Sequence, residues 1–110
     1  MAMHAKLRHC RMSPFKLRLV ADAIRNKPYE EAVSTLTFMP KQKAALILLK
    51  LLKSAAANVE ETTEFDPEEL FVRAIMVDGG RILKRIRPAP MGRAVRIHKP
   101  MSHITIELGP

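Results

Sequence analysis

The chain of 110 residues is close to the commonest size of a single domain, and its 47% hydrophobic residues argue against disorder. A net charge of +8 and a pI near 10.2 indicate a partner of negative charge, which could be nucleic acid, an anionic membrane surface or an acidic protein. Cys10 is the only cysteine, so an intrachain disulfide is excluded. No signal peptide is recognisable, and the apolar runs are far shorter than the ~20 residues of a membrane-spanning helix, so we expect no membrane insertion.

A strand and a helix are predicted at the N-terminus. Residues His4–Met12 alternate loosely and favour an edge strand. Ser13 and Pro14 are typical of a helix start, with serine as the N-cap and proline in the first helical position. The helix predicted over Pro14–Arg25 ends before Pro28, because the residue preceding a proline disfavours helical backbone. Its expected inward face consists of Leu17, Val20, Ala21 and Ile24.

Two more helices are predicted before the chain becomes extended. The first spans Tyr29–Thr37, and its expected inward residues are Ala32, Val33 and Leu36. The second spans Lys41–Glu61 and has the wide apolar face of a mostly buried helix, made up of Ala44, Ile47, Leu48, Leu51, Leu52, Ala55 and Val59. Three lysines share its solvated side, namely Lys43, Lys50 and Lys53. An acidic loop is expected next, with Glu60, Glu61, Glu64, Asp66, Glu68 and Glu69.

Two strands near the C-terminus determine the predicted fold class. Leu70–Val77 is predicted as a strand with Phe71, Ile75 and Val77 in the core, and Ser102–Leu108 alternates as a half-buried strand does. The order of the elements predicts an α+β fold, in which three helices pack on a small antiparallel sheet with a long extended basic β-hairpin. We expect one domain over residues 1–110, globular over about 1–78 and 100–110, with the extended hairpin over about 79–99.

The segment between these strands, Arg81–Lys99, is the most informative stretch of the chain. It carries seven Lys or Arg residues and no acid. If antiparallel pairing continues past Gly79 and Gly80, each strand of the ribbon reaches roughly 30 Å, at ~3.3 Å per residue. A bare two-stranded ribbon is marginal in water, and we expect its cations to repel one another. Such a segment favours binding to a polyanion over a solvated basic loop.

The aromatic content favours folded RNA as that polyanion. One Tyr, four Phe and no Trp supply few stacking surfaces for single-stranded nucleic acid. No zinc-finger or basic-zipper pattern is present. We therefore expect recognition of folded RNA through its shape and its backbone.

The sequence shows no recognisable catalytic or metal site. The candidate metal ligands have no familiar spacing; they are His4, His9, Cys10, His98 and His103. No glycine-rich phosphate loop is followed by Lys-Ser or Lys-Thr, and no activated nucleophile is evident. We therefore expect no enzymatic activity, no metal, no cofactor and no small-molecule substrate. His98 and His103 are expected to contact RNA or to pack at a strand edge.

Three motifs, in order along the chain, resemble one protein family. Residues Arg11–Asp22, RMSPFKLRLVAD, resemble the R-x-S-P-x-K-x-R-L-V-x-D motif of the bacterial ribosomal large-subunit protein twenty-two family. The sequence VDGGRILKRIRPAPMGRA, which begins at Val77, resembles the second signature of that family together with Ser102–Ile106. Ser54–Asn58 matches its long helix, and the resemblance extends from about Ala5 to Leu108.

The resemblance implies a structural constituent of the large ribosomal subunit in the cytoplasm, without enzymatic activity. It implies binding to 23S-type ribosomal RNA, contacts with neighbouring ribosomal proteins, support of subunit assembly, and a hairpin tip that lines the exit tunnel beside the nascent peptide. The residues expected to bind RNA are Arg8, Arg11, Ser13, Lys16, Arg18, Arg81, Lys84, Arg85, Arg87, Arg93, Arg96, His98, Lys99 and His103. The expected tunnel tip comprises Leu83, Lys84, Arg85, Ile86, Arg87, Pro88, Ala89, Pro90, Met91 and Gly92.

The chain departs from the family pattern at two places. Ala89 stands where a tip arginine is usual, and Pro100 stands where a second arginine is usual. The two missing cations predict slightly weaker electrostatic anchoring of the hairpin. Two alternatives stay open at this point: a free-standing RNA-binding chaperone, and a protein-interaction module that uses the acidic loop.

Overall fold

The computed structural model describes residues 3–40, 42–62 and 69–109, and only the backbone of Met3, Gln42 and Thr62. The elements in chain order are β1 (Met3–Cys10), α1 (Pro14–Ile24), α2 (Tyr29–Thr37), α3 (Gln42–Thr62), β2 (Phe71–Pro88), a 3-10 turn (Pro90–Gly92) and β3 (Ala94–Gly109). This order confirms the predicted α+β fold. The expected start of the long helix at Lys41 lies outside the described residues, as does most of the acidic loop, including Glu64, Asp66 and Glu68.

The three helices lie where their apolar patterns predict them. The Ser13 hydroxyl accepts a hydrogen bond from the Lys16 amide at 3.4 Å and so caps the start of α1. All four inward residues predicted for α1 are buried. The predicted faces of α2 and α3 are also buried, apart from Val33 and Ile47, which are half-buried. Helical periodicity is a reliable guide here because one stripe of each helix must cover the sheet.

The sheet has the strand order β1-β3-β2, and both pairings are antiparallel. The central strand β3 therefore carries the predicted alternation most clearly. Its inner face presents Ile104, Ile106 and Leu108 to the helices, and all three are buried. The residues between them are half-buried and lie on the opposite face of the sheet.

The prediction that Phe71 belongs to the core is wrong, because its side chain is 40% exposed. A β-bulge between Val72 and Ala74 inserts Arg73 into β2 and shifts the alternation by one residue. Val72 is therefore buried on the near side of the bulge, and Ile75 is buried beyond it. The Phe71 ring instead lies beneath the guanidinium of Arg73, whose central carbon is 5.8 Å from the ring centroid.

The pairing of β2 with β3 continues far past the helices, to Pro88 opposite Ala94. The molecule measures 64 × 26 × 17 Å, and its radius of gyration of 16.9 Å exceeds the ~13 Å of a compact domain of this size. We call residues 79–99 the arm and the other described residues the body. Residues 79–99 are all described and none of them is buried, so every buried residue found lies in the body.

Candidate nucleic-acid interface

The arm begins where the sheet changes from three strands to two. The last pair between β1 and β3 is Cys10 opposite Ser102, just after a bulge in β1. Next along β3, opposite Ser102 and Pro100, a second bulge interrupts β2 between Gly79 and Ile82. Bulges bend a strand and increase its twist, so this pair of bulges sets the direction in which the arm leaves the body.

His103 lies between these two bulges and packs the root of the arm. Its Nδ1 accepts a hydrogen bond from the backbone amide of His9 at 3.1 Å, and the two rings meet edge to face with centroids 5.0 Å apart. A Cβ placed on Gly80 would lie only 3.0 Å from His103 Nε2, so glycine permits this close approach. The structure thus gives His103 a packing role, and its contact with RNA stays a prediction.

In the body, the outer edge of β2 is hydrogen-bonded by the segment between α1 and α2. The Val72 amide donates to the Lys27 carbonyl at 2.9 Å, and the Asn26 amide donates to the Val72 carbonyl at 3.0 Å. The Tyr29 amide donates to the Leu70 carbonyl at 2.9 Å. These bonds satisfy backbone groups that would otherwise be unpaired at the edge of the sheet.

Arg18 of α1 and Arg25, which directly follows α1, continue this protection along the same edge. Arg18 donates to the Val77 carbonyl through Nη2 at 2.8 Å and through Nε at 3.2 Å. Arg25, which also pairs with Asp22, donates to the Ile75 carbonyl at 3.1 Å. Arg18 is among the residues predicted to bind RNA. Because its Nε and Nη2 groups donate to the edge of the sheet, only its remaining N–H groups are free to bind a partner.

The arm is a ribbon with two open edges. Within the described structure, β1 covers β3 only as far as Ser102, and groups from the helices cover β2 only as far as Val77. The outward backbone groups of residues 79–99 therefore have no neighbouring strand or helix in the described part of the chain. Exposed edges of this kind invite pairing with other chains, and closely spaced positive charges oppose such aggregation.

Strand alternation places cations on both faces of the arm. Lys84 and Arg96 lie on one face together with His98, whereas Arg85 and Arg87 lie on the other, and all five side chains are exposed. A ribbon that rested on a flat polyanion would need cations on one face only. The two-sided distribution instead fits a polyanion that surrounds the arm.

The strand register limits the repulsion that we expected among these cations. Most of them lie directly opposite an apolar residue, in the pairs Leu83–Lys99, Arg85–Ile97, Ile86–Arg96 and Arg87–Val95. The pair Lys84–His98 is the exception. Like charges directly opposite one another destabilise a strand pair, so this register reduces, but does not remove, the repulsion expected within the ribbon.

The tip of the arm is a tight turn without charge. The Ala89 amide donates to the Arg93 carbonyl at 2.7 Å and closes the turn. Met91 and Gly92 both have left-handed backbone, with φ of +64° and +70°. The Met91 side chain is 96% exposed. The residues predicted as the tunnel tip, Leu83–Gly92, thus form the distal part of β2 and this turn.

A small cleft lies in the corner between the body and the root of the arm, and we call it the corner cleft. Its volume is about 280 Å³, and its lining consists of Arg11, Met12, Ser13, Lys16, Lys43, His98, Lys99 and Pro100. Five of these residues were predicted to bind RNA. Lys43 was not, because the sequence shows only that it lies on the solvated side of its helix. The predicted residues Arg8 and His103 line a different cleft, of about 290 Å³.

The described residues provide neither a metal site nor a membrane span. No three His, Cys, Asp or Glu side chains among them come together in a way that could hold a metal ion. Burial raises the pKa of the Cys10 thiol, and the nearby Lys43 ammonium opposes that shift. None of the helices in the described ranges is long and apolar enough to cross a membrane.

Known proteins resemble the chain over almost its whole length. The sequence model of the family described as Ribosomal protein L22p/L17e matches residues 5–109. The relative named "Large ribosomal subunit protein uL22" of Trichlorobacter lovleyi is 52% identical over 108 residues, covering 98% of this chain and 95% of the relative. The protein of the same name from Rubrobacter xylanophilus is 53% identical over 107 residues, covering 97% and 84%. That of Syntrophotalea carbinolica is 50% identical over 108 residues, covering 98% and 97%.

Proposed function

Because the chain belongs to the Ribosomal protein L22p/L17e family of structural, non-enzymatic ribosomal proteins, we propose that its arm binds large-subunit ribosomal RNA and lines the exit tunnel. The family match confirms the predicted role as a structural component of the large ribosomal subunit. Its partners in that setting are ribosomal RNA and neighbouring ribosomal proteins. Support of subunit assembly and contact with the nascent peptide are parts of the same proposal.

One observation carries the proposed RNA binding: the arm is a charged ribbon in which no side chain is buried in the described structure. It holds seven basic residues and no acid, presents cations on both faces, and leaves both edges open. A ribbon of this kind gains stability when phosphates neutralise its charges and release counterions. Folded RNA can surround it, whereas an extended single strand would need aromatic stacking surfaces that the chain scarcely has.

The uncharged turn supports a separate role for the tip. Residues 88–92, PAPMG, contain no charge, whereas the strands behind them carry Lys84, Arg85, Arg87 and Arg96. Cations along the ribbon suit a wall of RNA. A neutral, stiff tip with an exposed Met91 suits a passage through which peptides of any charge must slide. We therefore assign RNA anchoring to the ribbon and tunnel lining to the turn.

Sedimentation of a cell lysate tests the ribosomal proposal against a free-standing RNA chaperone. The tagged full-length chain should stay with the large subunit in moderate salt. A chaperone would spread through the gradient, and a protein-interaction module would follow its own partner. Release of the chain from the large subunit at moderate salt would contradict the proposal.

A photo-cross-linker at two positions of the arm tests the division between ribbon and tip. Placed at Met91, in ribosomes that hold a nascent peptide, it should label that peptide. Placed at Ile86, which is also exposed but lies in the ribbon, it should label RNA instead. Labelling of the peptide from Ile86 but not from Met91 would contradict the assignment.

A further inference from the structure

The corner cleft is lined by basic residues from four separate parts of the chain. Arg11 comes from the loop after β1, Lys16 from α1 and Lys43 from α3. His98 and Lys99 come from β3, at the point where β1 has ended and the edge of β3 is open. The body and the arm therefore both contribute to one concave surface.

Hydrogen bonds fix the walls of this cleft. The hydroxyl of Ser102, which is fully buried, donates to the Met12 carbonyl at 2.6 Å and ties the loop after β1 to the root of the arm. The Met12 amide donates to the Cys10 carbonyl at 2.9 Å, and Ser13 caps α1 directly afterwards. The cations of the cleft are thus attached to backbone that is already ordered, which reduces the entropy cost of binding.

No carboxylate balances these charges in the described structure. The residues that line the cleft include no acid, and the first turns of α1 and α3 include none either. The ion pairs found among the described residues involve Arg25 and Lys27, which lie elsewhere. Converging like charges in a concave site concentrate the positive potential and favour an anion there.

We propose that the corner cleft binds a phosphate group of the RNA backbone, held between Lys43 of the body and Lys99 of the arm. This inference rests on the RNA binding proposed above and adds Lys43 as an RNA ligand. The volume of about 280 Å³ leaves room for a phosphate with its adjacent sugar. A phosphate held there fixes the arm relative to the body.

The choice of phosphate over a base follows from the chemistry of the lining. Guanidinium and ammonium groups donate to phosphate oxygens without regard to sequence. The lining has no aromatic ring on which a base could stack other than the His98 imidazole. Phosphate contacts determine position and orientation rather than sequence, which agrees with a role in placing the arm.

The test compares Lys43→Gln with Lys50→Gln in the full-length chain. Both lysines are exposed on α3 and both changes remove one charge, but only Lys43 lines the cleft. Binding to a 23S-type ribosomal RNA transcript is measured over a range of salt concentrations. For Lys43→Gln we expect the slope of log K against log salt to become shallower by about 0.8, which corresponds to an about sixfold loss of affinity at 0.1 M salt. Lys50→Gln should leave the slope unchanged.

A double-mutant cycle tests whether the body and the arm hold the same phosphate. Lys99→Gln should cost as much affinity as Lys43→Gln, and the two changes together should cost less than the product of their separate effects. Strictly multiplicative losses would overturn the shared site. Both residues are exposed, and unchanged thermal unfolding of each variant verifies that the fold is intact.

Inorganic phosphate distinguishes a site for free anions from a site for RNA. Titration of wild-type protein with phosphate should shift the His98 ring resonances, and Lys43→Gln should weaken that response. If Lys43→Gln weakens phosphate binding but binds RNA as Lys50→Gln does, the cleft takes free anions and the inference is overturned. If wild-type protein binds the RNA and both variants keep its slope, only this inference fails. If wild-type protein does not bind the RNA, the proposed function fails with it.

Discussion

The body and the arm differ in how far their strands are buried. In the body, β3 lies between two strands and packs against α1 and α3, and Ile104 and Ile106 are fully buried. In the arm, the same strand continues through residues 94–99 without a buried side chain and with one neighbour only. The body therefore carries its own hydrophobic core, whereas the arm, over residues 79–99, has none.

One hairpin therefore lies in two environments: one part covers the hydrophobic core, and the other part is exposed on both faces. Near the helices, the alternation of β3 separates apolar from polar residues, as a half-buried sheet requires. Past the bulges at the root, each face of the ribbon carries both cations and apolar residues, because most cations lie opposite an apolar residue. The two bulges mark the boundary between strands that cover the protein core and strands that we propose bind a polyanion.

The largest expected effect comes from removing the arm. We propose that the body folds alone, so deletion of Arg81–Lys99 with Gly80 joined to Pro100 should leave the helical circular dichroism and the melting temperature almost unchanged. Affinity for ribosomal RNA at ~0.1 M salt should fall at least ~100-fold, because seven cations are lost. Loss of the helical signal would show that the arm is needed to fold the body.

A matched pair of isoleucine substitutions separates the two regions by stability. Ile104→Ala removes a side chain that is 0% exposed and should lower the free energy of unfolding by ~2–5 kcal/mol. Ile86→Ala removes one that is 74% exposed and should change it by less than ~0.5 kcal/mol. Chemical denaturation measures both values. Equal losses would contradict the difference in burial between body and arm.

Two double variants test whether the partner surrounds the arm. Lys84→Gln with Arg96→Gln removes cations from one face, and Arg85→Gln with Arg87→Gln removes them from the other. If RNA contacts both faces, each double variant should make the salt slope of RNA binding shallower by about 1.4–1.8. A change in slope for only one pair would mean that the arm lies on a surface with its other face in solvent.

Arg18 should affect stability more than RNA binding. Its guanidinium donates two hydrogen bonds to the Val77 carbonyl at the edge of β2, so Arg18→Ala should lower the free energy of unfolding by ~1 kcal/mol. Lys16→Ala, two residues earlier, removes a cation of the corner cleft and should reduce the salt slope instead. A larger reduction in slope for Arg18→Ala than for Lys16→Ala would assign Arg18 mainly to RNA.

The smallest expected effect is at the tip. Gly92 has a φ of +70°, so Gly92→Ala should destabilise the turn by ~1 kcal/mol through backbone strain. The Ala89 amide, which is bonded to the Arg93 carbonyl, should then exchange with solvent faster. The melting temperature of the body should not change. A lower melting temperature would indicate that the tip and the body unfold together.

Local patterns in the sequence predicted much of this structure. The Ser13-Pro14 cap and the four inward residues of α1 follow from capping and helical period, and both are found as predicted. The fold class and the hairpin follow from element order and strand alternation. Each of these inferences uses residues within a few positions of one another, where steric and hydrogen-bonding preferences are strongest.

The features that the sequence did not predict depend on contacts between distant residues or on irregular backbone. The bulge that exposes Phe71 adds one residue to a strand and leaves no mark in the pattern. The bond from Arg18 to Val77 joins positions 59 residues apart. In the sequence, Lys43 is an ordinary solvated lysine. Its position beside the end of β1 and the root of the arm is visible only in the fold. Only the folded structure brings these residues together.

Hydrogen exchange of the full-length chain, free and bound to large-subunit ribosomal RNA, tests the central claim most directly. The outward amides along both edges of residues 79–99 have no partner in the described structure, so they should exchange rapidly in the free protein. On binding, the account predicts slower exchange along both strands of the arm, with little change in the buried strand around Ile104 and Ile106. Exchange in the arm that stays as fast in the complex as in the free protein would contradict the account.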